Sequence, residues 1–196
     1  MSTYNTIAAP TEGKYTEKMS RFLAFAHPVA TSAEAKDVVA LYQNKYHDAR
    51  HVCWAYIVGS ARTDYMSNDN GEPSGTAGKP ILGQINSFGL SDVVIVVVRY
   101  FGGIKLGTSG LIGAYRQAAR LALEAATVIE RKDMTTITFT FPYLVMNDVM
   151  RLTKSSGISV VSQIFDNSCE MTVSLPSDDS DAFKSRLHDI DGVSVD

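Results

Sequence analysis

The sequence predicts an α+β protein of two domains: a first domain mixing strands and helices over residues 1–133, and a ferredoxin-like βαββαβ domain over residues 134–196. Three observations carry this. Strand-like and helix-like periodicities alternate from Ser20 to Ala126, a charged stretch at Glu130–Asp133 interrupts them, and a second periodic block restarts at Thr135. At 196 residues the chain also exceeds the usual single-domain size of about 100–150 residues. Finally, charge divides at the same place. Residues 1–133 carry 14 Lys and Arg against 12 Asp and Glu, net +2, whereas residues 134–196 carry 4 against 9, net −5.

Taken in order, Ser20–Val29 alternates as a strand with Phe22, Ala24 and Ala26 on one face, and Pro28 marks a strand end or sheet edge. A helix follows, with Ser32 as its cap, Glu34 and Asp37 in the first turn, an apolar stripe of Val38, Val39, Leu41, Tyr42 and Tyr46, and an end near Asp48. His51–Gly59 reads as a half-buried strand with Val52, Trp54, Tyr56 and Val58 opposite His51, Cys53 and Ala55. The run Val93–Val98 has no polar alternation, so both its faces are buried and it is central in its sheet. Gly110–Ala126 is the strongest helix, with Leu111, Tyr115, Ala118, Ala119 and Ala122 along one stripe whose small residues allow close packing. In the second block, Thr135–Phe141 is a strand and Tyr143–Ser156 a helix. Ile158–Phe165 and Cys169–Leu175 form a hairpin around Asp166 and Asn167, Asp178–Asp189 is helical, and Val193–Val195 closes as a short strand.

Composition narrows function. Hydrophobic residues make up 45% and charged residues 20%, ordinary for a folded globular chain. The unbroken apolar run Val93–Val98 has six residues where a membrane-spanning helix needs about 20, and no signal segment opens the chain. Two distant cysteines, Cys53 and Cys169, read as free thiols in a reducing compartment, which places the protein in the cytoplasm. An overall net charge of −3 argues against a generic nucleic-acid coat, so any anion is met by the less acidic first half.

Eleven of the 14 glycines fall between Gly59 and Gly113, in two clusters. The first, DNGEPSGTAGKP at Asp69–Pro80, follows a polar run from Ser67 and reads as a loop. Its glycines allow backbone amides to converge on an anion, with Ser74, Thr76 and Lys79 as added donors. A plain surface turn has the same composition. The second, RYFGGIKLGTSG at Arg99–Gly110, joins the central strand to a helix N-terminus, where free amides and the helix dipole favour negative charge. Arg99 and Lys105 supply countercharge and Thr108 and Ser109 can cap; the glycines also suit a tight strand-to-helix turn with no ligand. Gly102–Ser109 approximates a P-loop, but Thr108 occupies the position of the essential lysine, which argues against P-loop nucleotide hydrolysis.

His51 and Cys53 share a strand face, yet an i, i+2 spacing of nearly 7 Å is too long for a direct hydrogen bond, so Cys53 is expected to be a buried structural thiol. The four histidines and two cysteines show no paired spacing for zinc, and no metal or cofactor is expected. Near the glycine loops, Asp69, Glu72 and His51 are the candidates for a general base.

The two loops together, DNGEPSGTAGKPIL at Asp69–Leu82 and VVVRYFGGIKLGTSGLIGAYRQAA at Val96–Ala119, resemble the signature of the YigZ/IMPACT family. SRF at Ser20–Phe22 and HVCWAYIVG at His51–Gly59 are similar too, so the resemblance spans most of Ser20–Ala126. It implies that residues 1–133 form an α/β sandwich like the second domain of a small-subunit ribosomal protein, with a left-handed βαβ crossover against the usual rule. It also implies that residues 134–196 form the bacterial C-terminal domain, similar to the last domain of elongation factor G. Eukaryotic relatives regulate translation initiation by competing for the activator of a kinase, a partner that is not carried over here. Departures are small: Asn70 and Ser109 stand where Asp and Gly are expected, and Gly113 stands where an arginine is common, which removes a cation from the anion site.

The expected function is that of a non-enzymatic, nucleic-acid or ribosome-associated regulator of translation, with Ser74, Thr76, Lys79, Arg99, Lys105, Thr108 and Ser109 binding RNA phosphate. RNA, the ribosome or a protein of the translation apparatus is the expected partner. The alternatives are an enzyme acting on a phosphorylated small molecule and a protein-interaction adaptor whose glycines are structural.

Overall fold

The computed structural model describes residues 3–155, 157–166 and 168–196. It divides into two compact units, one of residues 4–131 and one of Thr3 with residues 132–196.

The first unit is built on a five-stranded sheet whose neighbours all run antiparallel. Its strands are β2 (Thr11–Glu17), β3 (Ser20–Pro28), β4 (His51–Val58), β5 (Asp64–Asn68) and β6 (Val93–Tyr100), in the order β2-β3-β6-β4-β5. The apolar run of β6 is central, and Val93 through Val98 are each 0% exposed. Two layers of helix make this possible. Helix α1 (Ser32–Lys45) covers one face, where Val39 and Tyr42 pack on Phe25, Trp54, Tyr56 and Val96. Helices α2 (Gly78–Ser87) and α3 (Gly107–Glu124) cover the other, where Ile81, Ile85, Tyr115 and Ala118 meet Phe22, Cys53, Ala55 and Val97. The alternation read in β4 therefore sorts residues between two cores, and the strand is buried on both faces, not half-buried.

Several elements differ from expectation. The polar segments TEGKYTE and DYMSN are the two edge strands β2 and β5, so Ser67 and Asn68 belong to a strand and not to a loop. Edge strands need one pairing partner and little apolar surface, which is why their composition reads as loop. A further pair, β1 (Thr3–Ile7) with β7 (Val128–Lys132), absorbs most of the charged stretch taken as a separator. The first glycine cluster ends inside α2, whose Pro80 sits in the first turn, where no amide is required. Helix α1 is capped by Thr31, whose hydroxyl accepts from the Glu34 amide at 3.1 Å, and Leu41 on its expected stripe is 57% exposed. Helix α3 begins three residues before Gly110, which puts Thr108 and Ser109 inside its first turn and not at its cap; the capping position is Leu106.

Small residues set the closest approach in this layer. Gly13 of β2 lies against the backbone of α3 at Leu121 and Ala122, with no room for a Cβ.

The second unit has the order β8 (Met134–Phe141), α4 (Met146–Thr153), β9 (Ser159–Phe165), β10 (Cys169–Pro176), α5 (Ser180–His188), β11 (Ser194–Val195), with short 3₁₀ turns leading into both helices. Its sheet runs β11-β8-β10-β9, antiparallel throughout. Phe139, Phe141, Met171 and Leu175 on the strands meet Val149, Leu152, Phe183 and Leu187 on the helices. The expected helix end at Ser156 and the turn residue Asn167 lie outside the described residues. Among the described residues, no helix is long and apolar enough to cross a membrane.

Candidate functional site

The loop between β5 and α2 is organised by one carboxylate. Asp69 accepts from the amides of Gly75 (2.8 Å), Ala77 (3.0 Å) and Gly78 (2.8 Å), so the converging amides expected of this glycine cluster already hold an anion, the chain's own. Burial pushes the Asp69 carboxyl up, but the three amides and Lys79 outweigh it and leave it below the ordinary carboxylate value. Ser74 and Lys79 are exposed, and Thr76 is buried with its hydroxyl donating to the Pro73 carbonyl at 2.6 Å.

Glu72, from the same loop, turns inward. Its Oε1 accepts from Arg99 Nη1 of β6 at 2.6 Å and from the Tyr115 hydroxyl of α3 at 2.7 Å, tying loop, sheet and helix to one atom. Arg99 is 5% exposed, reaches Ser20 Oγ with Nη2 at 3.4 Å, and lies over the rings of Phe22 and Phe101. Its Nε has no hydrogen-bond partner among the described residues. The other Glu72 oxygen faces His51 Nε2 at 3.7 Å. Since a carbonyl only accepts, the 2.8 Å contact of His51 Nδ1 with Asn70 O is a donation from the ring, which leaves Nε2 as the nitrogen turned toward Glu72.

Cys53 lies behind this network. Its thiol is within reach of the Asp69 carbonyl (3.0 Å) and the Tyr115 hydroxyl (3.3 Å), and burial pushes its pKa up to about 12. A thiol held protonated in this way is a poor nucleophile, as expected for a structural cysteine. Burial likewise raises the Tyr115 hydroxyl.

In front of Glu72 and Arg99 opens a cavity of about 380 Å³, lined by Arg50, His51, Pro73, Phe101, Lys105, Leu106, Gly107, Thr108 and Leu111 as well. Strand register brings its two walls together, because His51 pairs with Arg99 and the Arg50 amide donates to the Arg99 carbonyl at 3.0 Å. Helix α3 points its first turn at this space, and among the described residues no side chain caps it. Arg50 and Lys105 are exposed, and Arg99 is neutralised by Glu72. Of the residues expected to bind an anion, the fold gathers Arg99, Lys105 and Thr108 here; Ser74, Thr76, Lys79 and Ser109 are not among its lining. Arg50 and Phe101 were not singled out from sequence. Their one available signal was adjacency to the strand ends that carry His51 and Arg99.

The Impact N-terminal domain family matches residues 18–123 of the chain. IMPACT family member YigZ of Escherichia coli is 33% identical over 185 residues, covering 93% of this chain and 90% of that protein. IMPACT family member YvyE of Bacillus subtilis is 39% identical over 134 residues, and the chain spans 62% of its length. A solved structure described as the crystal structure of an hypothetical protein superposes with a TM-score of 0.81 at 30% identity, over 100% of this chain and 97% of that one.

Proposed function

Because the chain belongs to the IMPACT family, we propose that it acts in the regulation of translation by binding RNA phosphate in the cavity at the start of α3. The reading rests on one observation: two exposed cations, Arg50 and Lys105, flank a helix N-terminus that no side chain among the described residues caps. Helix amides and cations at one opening attract a phosphate without selecting a base sequence. The Asp69 loop contributes by shaping the wall, since its amides are already occupied. The expectation of a two-loop anion site thereby narrows to the second loop.

The test is RNA affinity as a function of salt for the natural protein and for Lys105→Ala and Arg50→Ala. Each variant should weaken binding, and each lost phosphate contact should flatten the logarithmic salt slope by roughly 0.7–0.9 units. Unaltered affinity and slope in the double variant would overturn the site. Arg99 is left intact, because its partner is Glu72.

A second reading, an enzyme acting on a phosphorylated small molecule, is favoured by His51, whose Nε2 faces Glu72 at the cavity wall. Turnover in a screen of phosphorylated metabolites that is lost in His51→Ala would favour it over the binding role.

A further inference from the structure

We propose that the cavity receives one unstacked nucleotide of a single strand, with its base against Phe101 and its phosphate at Lys105 and the first turn of α3. This rests on the phosphate reading above and adds the part of the ligand that phosphate chemistry does not explain.

The cavity is amphipathic. A site for phosphate alone gains nothing from Pro73, Phe101, Leu106 and Leu111, yet these stand among its cations. Phe101 is 48% exposed on the loop that leads into α3, and the Arg99 guanidinium lies over its ring at 5.6 Å. A large aromatic left open to water beside exposed cations is the usual platform for a nucleobase, because any base can stack on it while the charges follow the backbone. Phe101 is followed by Gly102, whose amide donates to Ser20 Oγ at 3.1 Å, so the platform is anchored to β3. Nearby, Ile104 is also 48% exposed, which adds apolar surface to the same loop.

Arg99 holds the wall behind this platform. Arg99 is 5% exposed in the cavity wall, with both its Nη groups engaged. Size agrees as well, since about 380 Å³ lies at the small-ligand end of the usual range of roughly 300–1,000 Å³. A duplex keeps its bases stacked and presents only its backbone, so a single strand, loop or strand end is the form that fits.

The experiment compares four probes of equal length or charge on the full chain: single-stranded RNA, an abasic ribose-phosphate strand, an RNA duplex and inorganic polyphosphate. The base-bearing single strand should bind about ten-fold tighter than the abasic one. Phe101→Ala should erase that advantage and leave abasic binding unchanged, while Lys105→Ala weakens both. Phe101→Leu, which keeps apolar bulk without a π-face, should behave like Phe101→Ala. If base-bearing and abasic strands bind equally and Lys105→Ala still weakens both, the nucleotide pocket is overturned and the phosphate reading stands. If none of the four probes binds, both fall together. Thermal unfolding of each variant separates a lost contact from a lost fold.

Discussion

Arg99 and Glu72 meet at 2.6 Å with side chains only 6% and 3% exposed, so two charges that face solvent in a reading of the loops are instead spent on each other. Glu72 lies in an irregular loop and Arg99 in the central strand, and their pairing fixes one against the other. Removing one partner of a buried pair strands the remaining charge. We expect Arg99→Ala to lower the unfolding free energy by about 3–5 kcal/mol, and Arg99→Met combined with Glu72→Leu to recover much of that loss. Urea unfolding of the three proteins is the check; a neutral single variant contradicts the structural role.

Asp69 replaces an external anion for three amides at the start of α2. Asp69→Ala should therefore cost about 2 kcal/mol, the upper range for a lost helix cap. The acid limb carries a second signature. Because the folded carboxyl is lowered relative to its ordinary 3.8, its contribution is complete above that value and disappears as pH falls through the lowered one. Asp69→Asn should flatten stability against pH below about 4, measured by urea midpoints across pH 2–5.

Cys53 gives the opposite limb. Its thiol moves from 9.0 to about 12 in the fold, so below pH 9 both states keep the proton and nothing changes. Between those values only the unfolded chain releases it, and stability falls by about 1.4 kcal/mol per pH unit. Cys53→Ala should make the alkaline loss shallower. Native Cys53 should also react slowly with iodoacetamide at neutral pH and quickly once unfolded. Fast native labelling that depends on His51 is the contrary result.

Two glycines of the α3 region should respond in opposite senses. A Cβ at Gly102 collides with the backbone of Met19 and Ser20, so Gly102→Ala should destabilise by about 1–3 kcal/mol. Gly113 is exposed within α3 and a Cβ there meets nothing, so Gly113→Ala should stabilise by about 1 kcal/mol. Thermal midpoints of both variants decide the pair.

Residues 132–196 should fold without the rest of the chain. They enclose a core of their own, and the Ser177 amide donates to the Asp133 carbonyl at 2.8 Å, which closes the start of the unit on itself. A fragment beginning near Lys132 should unfold in one cooperative transition, read by urea titration. A fragment with no cooperative transition defeats this.

What the sequence determined by itself is the set of elements with a strong internal period. The unbroken apolar run of β6, the two-sided alternation of β4, the Leu111–Tyr115–Ala118–Ala122 stripe and the restart as βαββαβ each follow from local repetition, because burial on one side or both leaves its mark within a few residues. Edge strands β2 and β5 and helix α2 leave no such mark: their stability comes from neighbours, through one paired edge or one packed face. The site divides in the same way. Arg99, Lys105 and Thr108 were legible as a basic, hydroxyl-bearing turn before a helix, and the fold brings them to one cavity. Which charges remain available there was settled only in three dimensions. Glu72 reaches Arg99 across 27 residues, Asp69 fills the amides of its own loop, and Arg50 and Phe101 flank the paired ends of β4 and β6, where His51 meets Arg99. Sequence spacing reports where a charge begins, but Coulomb attraction and desolvation act over distances that exist only once the sheet has paired and the loop has closed.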